Sequence, residues 1–528
     1  MALNWFQRAF PGLALKRMMK QEALRMLEQQ RASGASAFPF EAVAGTGIHQ
    51  DWRTFSGSAD SENLSQLSAL RSRVRHLERN NVYVARMIKG SAVLSLGRGL
   101  RPQSKIRTDT TTESGGGAIA KTEAEQFQRQ AEYGWERWTK EADATGKLHY
   151  DELLRHHLET IFRDGEVYSR DVNLKTPGRF IPYAIQTYEA EQICTPSDLS
   201  KDPKIRDGHI IGSHGETLGY WVRRAHPGET ASYGHGADHK NFEEVPAKEM
   251  RHLGFLRRPG QTRYYTCLAP ALIPLGNLHK YWEAELVAAR VAACYVAFIK
   301  KKNPKGFLDA LPSKTQKQGQ NEFKQFEFAP ARVWMGEEGD EVNFGNPNRP
   351  NSAFGEFSKA LIMAAGLAVD LPYILLTLDY SQSNYSNTRS ATQEAREHAD
   401  ERRDYMVGHE CEANWSEAVT QMVATNRIMT PRSWSSRQYD WLRSKWLGPD
   451  RKWIDPEKEG KGVLIRLKAR MATYADELAK LGLDWEEHFK QVEKELEVLA
   501  KMPAMPGEQQ GQVSDRIFDQ WLGTESNP

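Results

Sequence analysis

One long apolar segment constrains the fold of this chain more than any other feature. It is residues 268–302, LAPALIPLGNLHKYWEAELVAARVAACYVAFIKKK, and it predicts a helix of about 30 residues and about 45 Å. Apolar side chains surround most of that helix, which indicates packing on several sides, although a long central core helix would have the same composition. Lys300, Lys301 and Lys302 end the segment, where basic side chains favour a helix C-terminus.

Length and composition limit the class of protein. The 528 residues are too many for one hydrophobic core, so several structural units are expected. Hydrophobic residues make up 39% and charged residues 27%, as in globular proteins, and a net charge of +2 excludes DNA binding by general charge neutralisation. The four cysteines are far apart and form no CxxC pair, which indicates a reducing compartment.

The sequence contains no membrane or catalytic signal. Its candidate apolar span, residues 291–299, is far shorter than the roughly 20 residues of a transmembrane helix, and basic residues interrupt the N-terminus, unlike a secretory signal. Neither GxxxxGK[ST] nor GxSxG occurs. We therefore predict no catalytic residue, no metal and no cofactor. Several histidines in apparent turns follow no standard zinc spacing: His209, His214, His226, His235 and His239.

Asn and Gly residues divide much of the remaining chain. Residues 61–101 predict two helices that are separated at Asn80–Asn81 and ended by Gly97–Gly99. Residues 161–260 predict a β-rich region with a hairpin turn at Asp164–Gly165. The C-terminal part predicts two helices that are divided at Gly482.

A ten-residue polar loop, residues 379–388, connects two predicted helices. Its sequence, DYSQSNYSNT, contains neither Gly nor Pro. A short apolar helix precedes it at 353–370, and a charged helix follows it, from Thr388 to about Thr425. Ser390 and Gln393 fit a capping box near the start of the second helix.

Several pieces of the sequence together form an ordered pattern. They are LRSRVRHLERNNVYVARMI followed by GRGLRPQ, WERWTKEADATGKLHYDELL, RDGEVY, YEAEQI, GHIIGSHGETLGYWV followed by HPGE, RRPGQTRYYTCLAPAL, AAGLAVDLPYILLTLDYSQSNYSNTRSA, and WIDPEKEGKG with LGLDWEE. Each piece alone is unspecific, but their order over about residues 65–490 is specific, and it resembles the portal proteins of lambda-type tailed bacteriophages. The chain departs from the family pattern at RYYTC, where the family has a second glycine-like turn, and in the charge of its long helices.

The resemblance implies an α+β fold that is assembled as a ring, with an α/β wing, a helical stem, a small β-containing clip and a helical crown. The implied segments are a partly flexible N-terminal arm (1–60), the wing (61–267), a stem helix (268–302), the clip (303–352), a second stem helix (353–370), the tunnel loop (379–388) with a long helix and the return to the wing (371–462), the crown (463–505) and a flexible tail (506–528).

The resemblance also implies the function of a portal protein, or head–tail connector, without enzymatic activity. A ring, typically a dodecamer, would stand at the unique vertex of the capsid. A terminase would pump double-stranded genomic DNA through its central channel, and the DNA would leave by the same route on ejection. The implied partners are the terminase large subunit, the major capsid protein or scaffold, and head–tail adaptor proteins, with no membrane. The protein would lie in the virion, and in the host cytoplasm during assembly.

In such a ring the polar loop would be the tunnel loop, projecting towards the axis. Short neutral side chains and two tyrosine rings can touch phosphates without holding them, as sliding DNA requires. A simple helix–helix connection would be the alternative. The candidate DNA-channel residues are Asp379, Tyr380, Ser381, Gln382, Ser383, Asn384, Tyr385, Ser386 and Asn387.

Four lysines form a second candidate set at the stem–clip junction. Lys300, Lys301, Lys302 and Lys305 would surround the channel there and touch the DNA backbone or the terminase. A helix-capping role alone would explain their position equally well.

Two other classes of protein stay open. An enzyme acting on nucleic acid is one, but the chain has no P-loop for a packaging motor and no in-order acidic cluster for a nuclease. A ring-forming adaptor lower in the tail is the other, a purely structural protein. Such adaptors are much shorter than 528 residues, so length argues against this class.

Overall fold

The computed structural model describes residues 56–108, 119–229, 241–294, 298–300, 341–343, 354–381, 383–449 and 455–500. The chain divides into two units, residues 1–62 and 63–528. The predicted arm, clip and tail lie almost entirely outside the described residues. The short helix Ala59–Asn63 spans the boundary of the two units, and everything below concerns the second unit.

Helices form about half of the described part of the second unit. We number as α1 to α13 those helices that have at least five residues and lie within it. They are α1 (Leu67–Asn80), α2 (Val82–Leu96), α3 (Lys121–Trp138), α4 (Tyr150–Asp164), α5 (Leu272–Cys294), α6 (Phe354–Gly366), α7 (Tyr373–Thr377), α8 (Tyr385–Met406), α9 (Glu412–Ala424), α10 (Trp434–Trp441), α11 (Pro456–Lys468), α12 (Tyr474–Lys480) and α13 (Trp485–Ala500).

In the part of the chain that the structure describes, the strands form four small antiparallel sheets, which together with the helices confirm the predicted α+β class. The sheet orders are β3-β2-β8, β4-β5-β6-β7, β1-β11 and β9-β10. The strands are β1 (Arg101–Ser104), β2 (Glu166–Asn173), β3 (Tyr183–Tyr188), β4 (Ile205–Arg206), β5 (His209–Ile211), β6 (Thr217–Arg223), β7 (Phe242–Pro246), β8 (Met250–Gly254), β9 (Phe298–Lys300), β10 (Glu341–Asn343) and β11 (Ser444–Leu447). Seven of them, β2 to β8, lie in the stretch that the sequence predicted to be β-rich.

The first two helices follow their local sequence signals. Asn81 separates α1 from α2, because its side chain accepts the backbone N–H groups of Tyr83 (2.9 Å) and Val84 (3.3 Å) and so caps α2. Gly97 ends α2 with a φ of 54°, a backbone conformation that glycine adopts without steric cost. Both predicted helix boundaries are therefore confirmed.

A cluster of aromatic rings holds the main core together. Trp138 of α3 stacks on Tyr183 of β3, with ring centroids 5.1 Å apart, and its Nε1–H donates to the Tyr183 carbonyl (3.0 Å). Trp135 contacts Trp415 of α9, at 5.5 Å between centroids. The core therefore joins the N-terminal helices, the three-stranded sheet and the helix that follows α8.

The prediction of a hairpin turn at Asp164–Gly165 is wrong. Asp164 is the last residue of α4, and Gly165 is its C-cap, with a φ of 95°. Asp-Gly is a signal for a hairpin and also for a helix end, and a tertiary contact favours the helix end here: Arg75 holds Asp164 through two hydrogen bonds of 2.7 and 2.9 Å.

The long apolar helix is shorter than predicted. The helix α5 begins at Leu272, after a 3-10 turn at Ala269–Ala271, and ends at Cys294 after 23 residues. Lys300 then lies in strand β9, paired with Glu341 of β10, so its predicted role at the end of the helix is wrong. The β9 residues Phe298 and Ile299 are of types that favour strands. Lys301, Lys302 and Lys305 lie outside the described residues.

The second predicted stem helix lies close to its predicted bounds, and α5 packs against it. The helix α6 and the 3-10 turn Leu367–Val369 together cover almost all of the predicted 353–370. Trp282 donates from Nε1 to the Ser358 hydroxyl (3.0 Å), and Tyr281 lies 5.5 Å from the ring of Phe354. These contacts fix the two helices side by side.

The helix after the polar loop begins earlier than predicted. Asn384 caps it by accepting the Asn387 N–H (2.8 Å), so α8 begins at Tyr385, and the predicted capping box at Ser390 is wrong. The helix continues through a π turn, Val407–Cys411, into α9, which ends at Ala424, one residue from the predicted end.

The C-terminal part has three helices where two were predicted. Gly482, with a φ of 71°, separates α12 from α13, so the predicted division is confirmed. The predicted boundary between wing return and crown, at 462–463, falls inside α11. Within the described ranges, no helix has both the length and the hydropathy to cross a membrane.

Candidate DNA-channel loop

The polar loop is fixed at its start by two tight turns. Gly366 is the last residue of α6. A Cβ atom added to it would lie 2.6 Å from the Leu371 carbonyl oxygen, so the chain turns closely there. After the short helix α7, Leu378 adopts a φ of 59° and donates its N–H to the Ile374 carbonyl (2.8 Å). The loop begins at this left-handed residue.

The described loop residues bond mainly to one another. Asp379 Oδ1 accepts the backbone N–H (3.0 Å) and the hydroxyl (2.6 Å) of Ser381, and these hydrogen bonds lower the pKa of Asp379. Ser383 donates from its N–H (3.2 Å) and its hydroxyl (3.0 Å) to the Tyr380 carbonyl. Gln382 lies outside the described residues. The loop thus has a local structure of its own, and two of its hydroxyl protons are already used.

The loop is shorter than the predicted 379–388. Tyr385, Ser386 and Asn387 belong to the first turn of α8, and Asn384 is its cap. The sequence contained a signal for this helix start, because Asn is one of the residues that are preferred at the N-cap. The predicted channel residues therefore fall into two sets, a turn at 379–383 and a helix start at 384–387.

Both tyrosines of the loop region are exposed. Tyr380 is 52% exposed and Tyr385 is 50% exposed. The ammonium of Lys458, at the start of α11, lies 5.9 Å from the Tyr385 ring centroid. The turn itself carries one charge, that of Asp379, so its surface offers neutral polar groups and a ring rather than cations.

Charged contacts anchor the two sides of the loop to the rest of the unit. Arg402 of α8 pairs with Asp370, just before α7, and its guanidinium lies 5.2 Å from the ring of Phe162. Arg86 of α2 donates to the Leu375 carbonyl of α7 (3.1 Å). These contacts hold the segments on both sides of the loop in place.

The helices α5 and α6 expose apolar side chains along their outer surface. Leu275 and Leu278 of α5 are buried in the core. Six other apolar side chains, on α5, on α6 and on the 3-10 turn that follows α6, are between 49% and 77% exposed. We call this set the outer face of α5 and α6: Ile273, Leu286, Val287, Phe357, Met363 and Leu367.

A buried charge network around Glu166 was not predicted. The carboxylate of Glu166 pairs with Arg71 and with Arg263 Nη2 (2.6 Å), and it accepts a hydrogen bond from His252 Nε2 (2.8 Å). Burial opposes ionisation of Glu166, but the charges of Arg263 and Arg71 hold its pKa well below the ordinary value. Arg71 and Glu166 are 95 positions apart, so no local pattern could reveal the pair.

One predicted turn histidine is instead buried. His209 lies in β5, 0% exposed, with its Nε2 3.2 Å from the Tyr168 hydroxyl. Burial and the neighbouring His252 lower the pKa of His209 well below its ordinary value, so this ring is neutral. It contributes packing and a hydrogen bond to the network around Glu166.

Among the described residues, one group has side chains close enough to share a metal ion: Glu189, Glu191 and His226. The guanidinium of Arg75 already supplies the positive charge beside these carboxylates, because its Nη2 lies 3.0 Å from Glu191 and 3.4 Å from Glu189. His226 Nδ1 accepts the Gly228 N–H (3.0 Å), which leaves the ring proton on Nε2 and makes that atom a donor. These contacts describe an ion-pair cluster rather than a metal site.

Comparison with known proteins adds the family. The family model "Phage portal protein, lambda family" matches residues 46–403, more than half of the chain. The chain is 23% identical to the "Probable portal protein" of Halomonas phage phiHAP-1 over 473 residues, which cover 87% of this chain and 86% of that protein. It is also 23% identical to "Portal protein B" of Escherichia phage lambda over 491 residues, which cover 84% of this chain and 86% of that protein.

Solved structures are similar at a lower level. The neck of a native GTA particle computed with C12 symmetry gives a TM-score of 0.39 at 13% identity, covering 79% of this chain and 93% of that chain. The neck of an empty GTA particle computed with C6 symmetry gives 0.41 at 14% identity, covering 78% and 93%. Likenesses of this size carry no argument, and the family match alone carries the assignment. This chain belongs to the lambda family of phage portal proteins.

Proposed function

We propose that this protein forms a closed ring of about twelve subunits at the unique vertex of a phage capsid, and that double-stranded DNA enters and leaves through its centre. Membership of the portal family supports the vertex position. The protein would act without enzymatic chemistry of its own, as a channel and as a docking platform. Its partners would be the terminase large subunit, the capsid protein or scaffold, and head–tail adaptors.

The outer face of α5 and α6 is the observation that carries the ring. A single chain leaves these side chains in water, although α5 has apolar residues on several sides. Water exposure of several large apolar side chains is unfavourable, and a neighbouring copy would cover them. In a ring each copy presents one surface to the copy before it and another to the copy after it, and such head-to-tail contacts form a closed ring when the rotation between copies permits it.

The turn at 379–383 would line the channel. It is exposed, it projects from a base that is anchored by Arg86 and Arg402, and its only charge is negative. A neutral or weakly acidic turn repels or slides past phosphates instead of binding them. Four lysines at the stem–clip junction would contact the DNA backbone or the terminase: Lys300, Lys301, Lys302 and Lys305.

Native mass measurement with electron-microscopy class averages would test the ring. The purified full-length protein should give a closed ring with a central hole. Val287→Glu should block assembly, because it introduces a charge into the proposed contact. Val82→Glu is a matched control at an exposed valine outside that face and should assemble normally. Normal rings from the Val287 variant would contradict the assignment of α5 to the interface.

Replacement of residues 379–383 by a Gly-Ser sequence of equal length would test the channel role. The variant keeps Asn384, so α8 retains its cap. Ring mass should stay unchanged, while the fraction of DNA-filled heads falls when the variant complements a phage that lacks its portal. The same replacement at residues 174–178, between β2 and β3, is the control. Unchanged DNA content in the first variant would reject the tunnel-loop assignment.

A further inference from the structure

The C-terminal helices α11 and α13 are largely uncovered. No residue of α11 is buried, and none of the residues of α13 from Trp485 to Val498 is buried. Helices of 13 and 16 residues are marginal in water on their own, and in proteins they are stabilised by packing an apolar face. These two helices therefore need a partner surface.

Both helices carry the apolar side chains that such a contact requires. On α13 these residues recur at helical spacing and form one stripe, Trp485, Phe489, Val492 and Leu496. On α11, Leu464 is 46% exposed and Ile465 is 66% exposed. Within one chain both helices contact the short α12, through the 3.0 Å Arg466–Glu477 pair and through Phe489 on Tyr474. Trp485 and Phe489 nevertheless stay 38% and 41% exposed.

The two helices have opposite charge. From Asp455 to Arg470 the chain has five basic and three acidic residues, and α13 has five acidic and two basic residues. The first turns of α11 are paired internally, since Lys461 bonds to Glu457 at 2.6 Å. Four charges further along have no ion pair within the described residues: Lys468 and Arg470 after α11, and Glu493 and Glu497 on α13.

We propose that α11 of one copy packs against α13 of the next copy of this chain, with Lys468 and Arg470 facing Glu493 and Glu497. The contact buries the open apolar side chains of both helices and matches their charges. Every copy offers one helix of each kind, so the contact repeats around a ring and closes with it. This inference rests on the proposed ring and adds a second contact to the outer face of α5 and α6.

Two charge-reversal variants test the pairing. One carries Lys468→Glu with Arg470→Glu, and the other carries Glu493→Lys with Glu497→Lys. Each alone puts like charges at every contact of the ring, so the protein concentration for half-assembly should rise at least about tenfold. An equimolar mixture of the two should recover wild-type assembly, because in alternating rings each reversed helix meets the opposite charge.

Lys201→Glu with Lys204→Glu lowers the net charge as much as the Lys468→Glu, Arg470→Glu variant does, in an exposed turn of the proposed wing, and should assemble as the wild type does. The loss in the two test variants should fade in about 1 M salt, where the screening length is about 3 Å. Native mass with a size-tagged subunit reports both ring yield and alternation.

Three results would overturn the inference. The first is that neither variant is impaired. The second is that assembly recovers only when all four substitutions are in one chain. The third is that cross-linking finds a segment of the same chain on these helices. The second of these results would show that the charges pair within one subunit. In each of the three cases wild-type rings still form and the proposed function stands, whereas a wild-type protein that forms no ring overturns both.

Discussion

Removal of one buried carboxylate should destabilise the second unit. Glu166 is the anion shared by Arg71 and Arg263, which are 4% and 1% exposed. Glu166→Gln keeps the shape of the side chain but leaves a positive charge in the interior, since the second carboxylate near Arg263, that of Asp207, is at the surface. Breaking a buried pair by removing one partner costs about 3–5 kcal/mol.

Thermal unfolding would measure this cost. A unit of this size has an unfolding entropy of about 1 kcal/mol per degree, so the midpoint should fall by roughly 3–5 °C. Glu243→Gln is the matched control, because Glu243 pairs with Arg170 at 2.7 Å but its side chain is 43% exposed. The control should cost less than about 1 kcal/mol. Equal losses in both variants would refute the argument that burial sets the cost.

The same variant has a defined dependence on pH. The folded state holds the pKa of Glu166 well below its ordinary value of 4.5, so the pair contributes its full stability above that value. That contribution is lost as pH falls through the folded pKa. The difference between wild type and Glu166→Gln should therefore be constant from about pH 6 to 8, should begin to shrink as pH falls below 4.5, and should be lost once pH lies below the folded pKa.

Three further substitutions test local features, each by its unfolding midpoint. Burial, together with Asp484 and other acids, raises the pKa of Glu132 to about 7, so its ionisation costs stability as pH rises through that value. Glu132→Gln should therefore be more stable than the wild type by about 1–3 kcal/mol at pH 8, and equally stable near pH 4.5. Asn81→Ala removes the cap of α2 and should cost about 0.5–2 kcal/mol, which Asn81→Ser should largely restore. Gly165→Ala should cost at least about 3 kcal/mol, since its Cβ would lie 2.4 Å from backbone, whereas Gly178→Ala, with a similar φ and open space, should cost about 1 kcal/mol.

The sequence was a good guide wherever structure depends on neighbouring residues. The break at Asn81 and the end of α2 at Gly97 were predictable because a cap and a left-handed glycine act within a few residues. The short helix α6 was predictable from its apolar composition. The order of the motifs also indicated the family, and that inference requires no knowledge of side-chain contacts.

The sequence was a poor guide wherever distant residues decide. Asp164–Gly165 has the signal of a hairpin and of a helix end, and Arg75, 89 positions away, is part of what decides between them. The network around Glu166 joins α1, β2, β8 and the segment after it, so no periodicity reveals it. The candidate loop was found, but its end was set too late, because Asn384 was not recognised as the helix cap.

The charge of the loop and the assembly of the ring belong to one physical argument. In a ring of roughly twelve copies, one phosphate ion pair of ~1 kcal/mol per subunit would sum to on the order of 10 kcal/mol and would arrest DNA in the channel. A turn whose one charge is that of Asp379 avoids this sum, and its two serine hydroxyls are already bonded inside the turn. The exposed apolar side chains that we propose to hold the copies together lie on α5 and α6 instead. The forces that would close the proposed ring are thereby separated from the surface that would face the DNA.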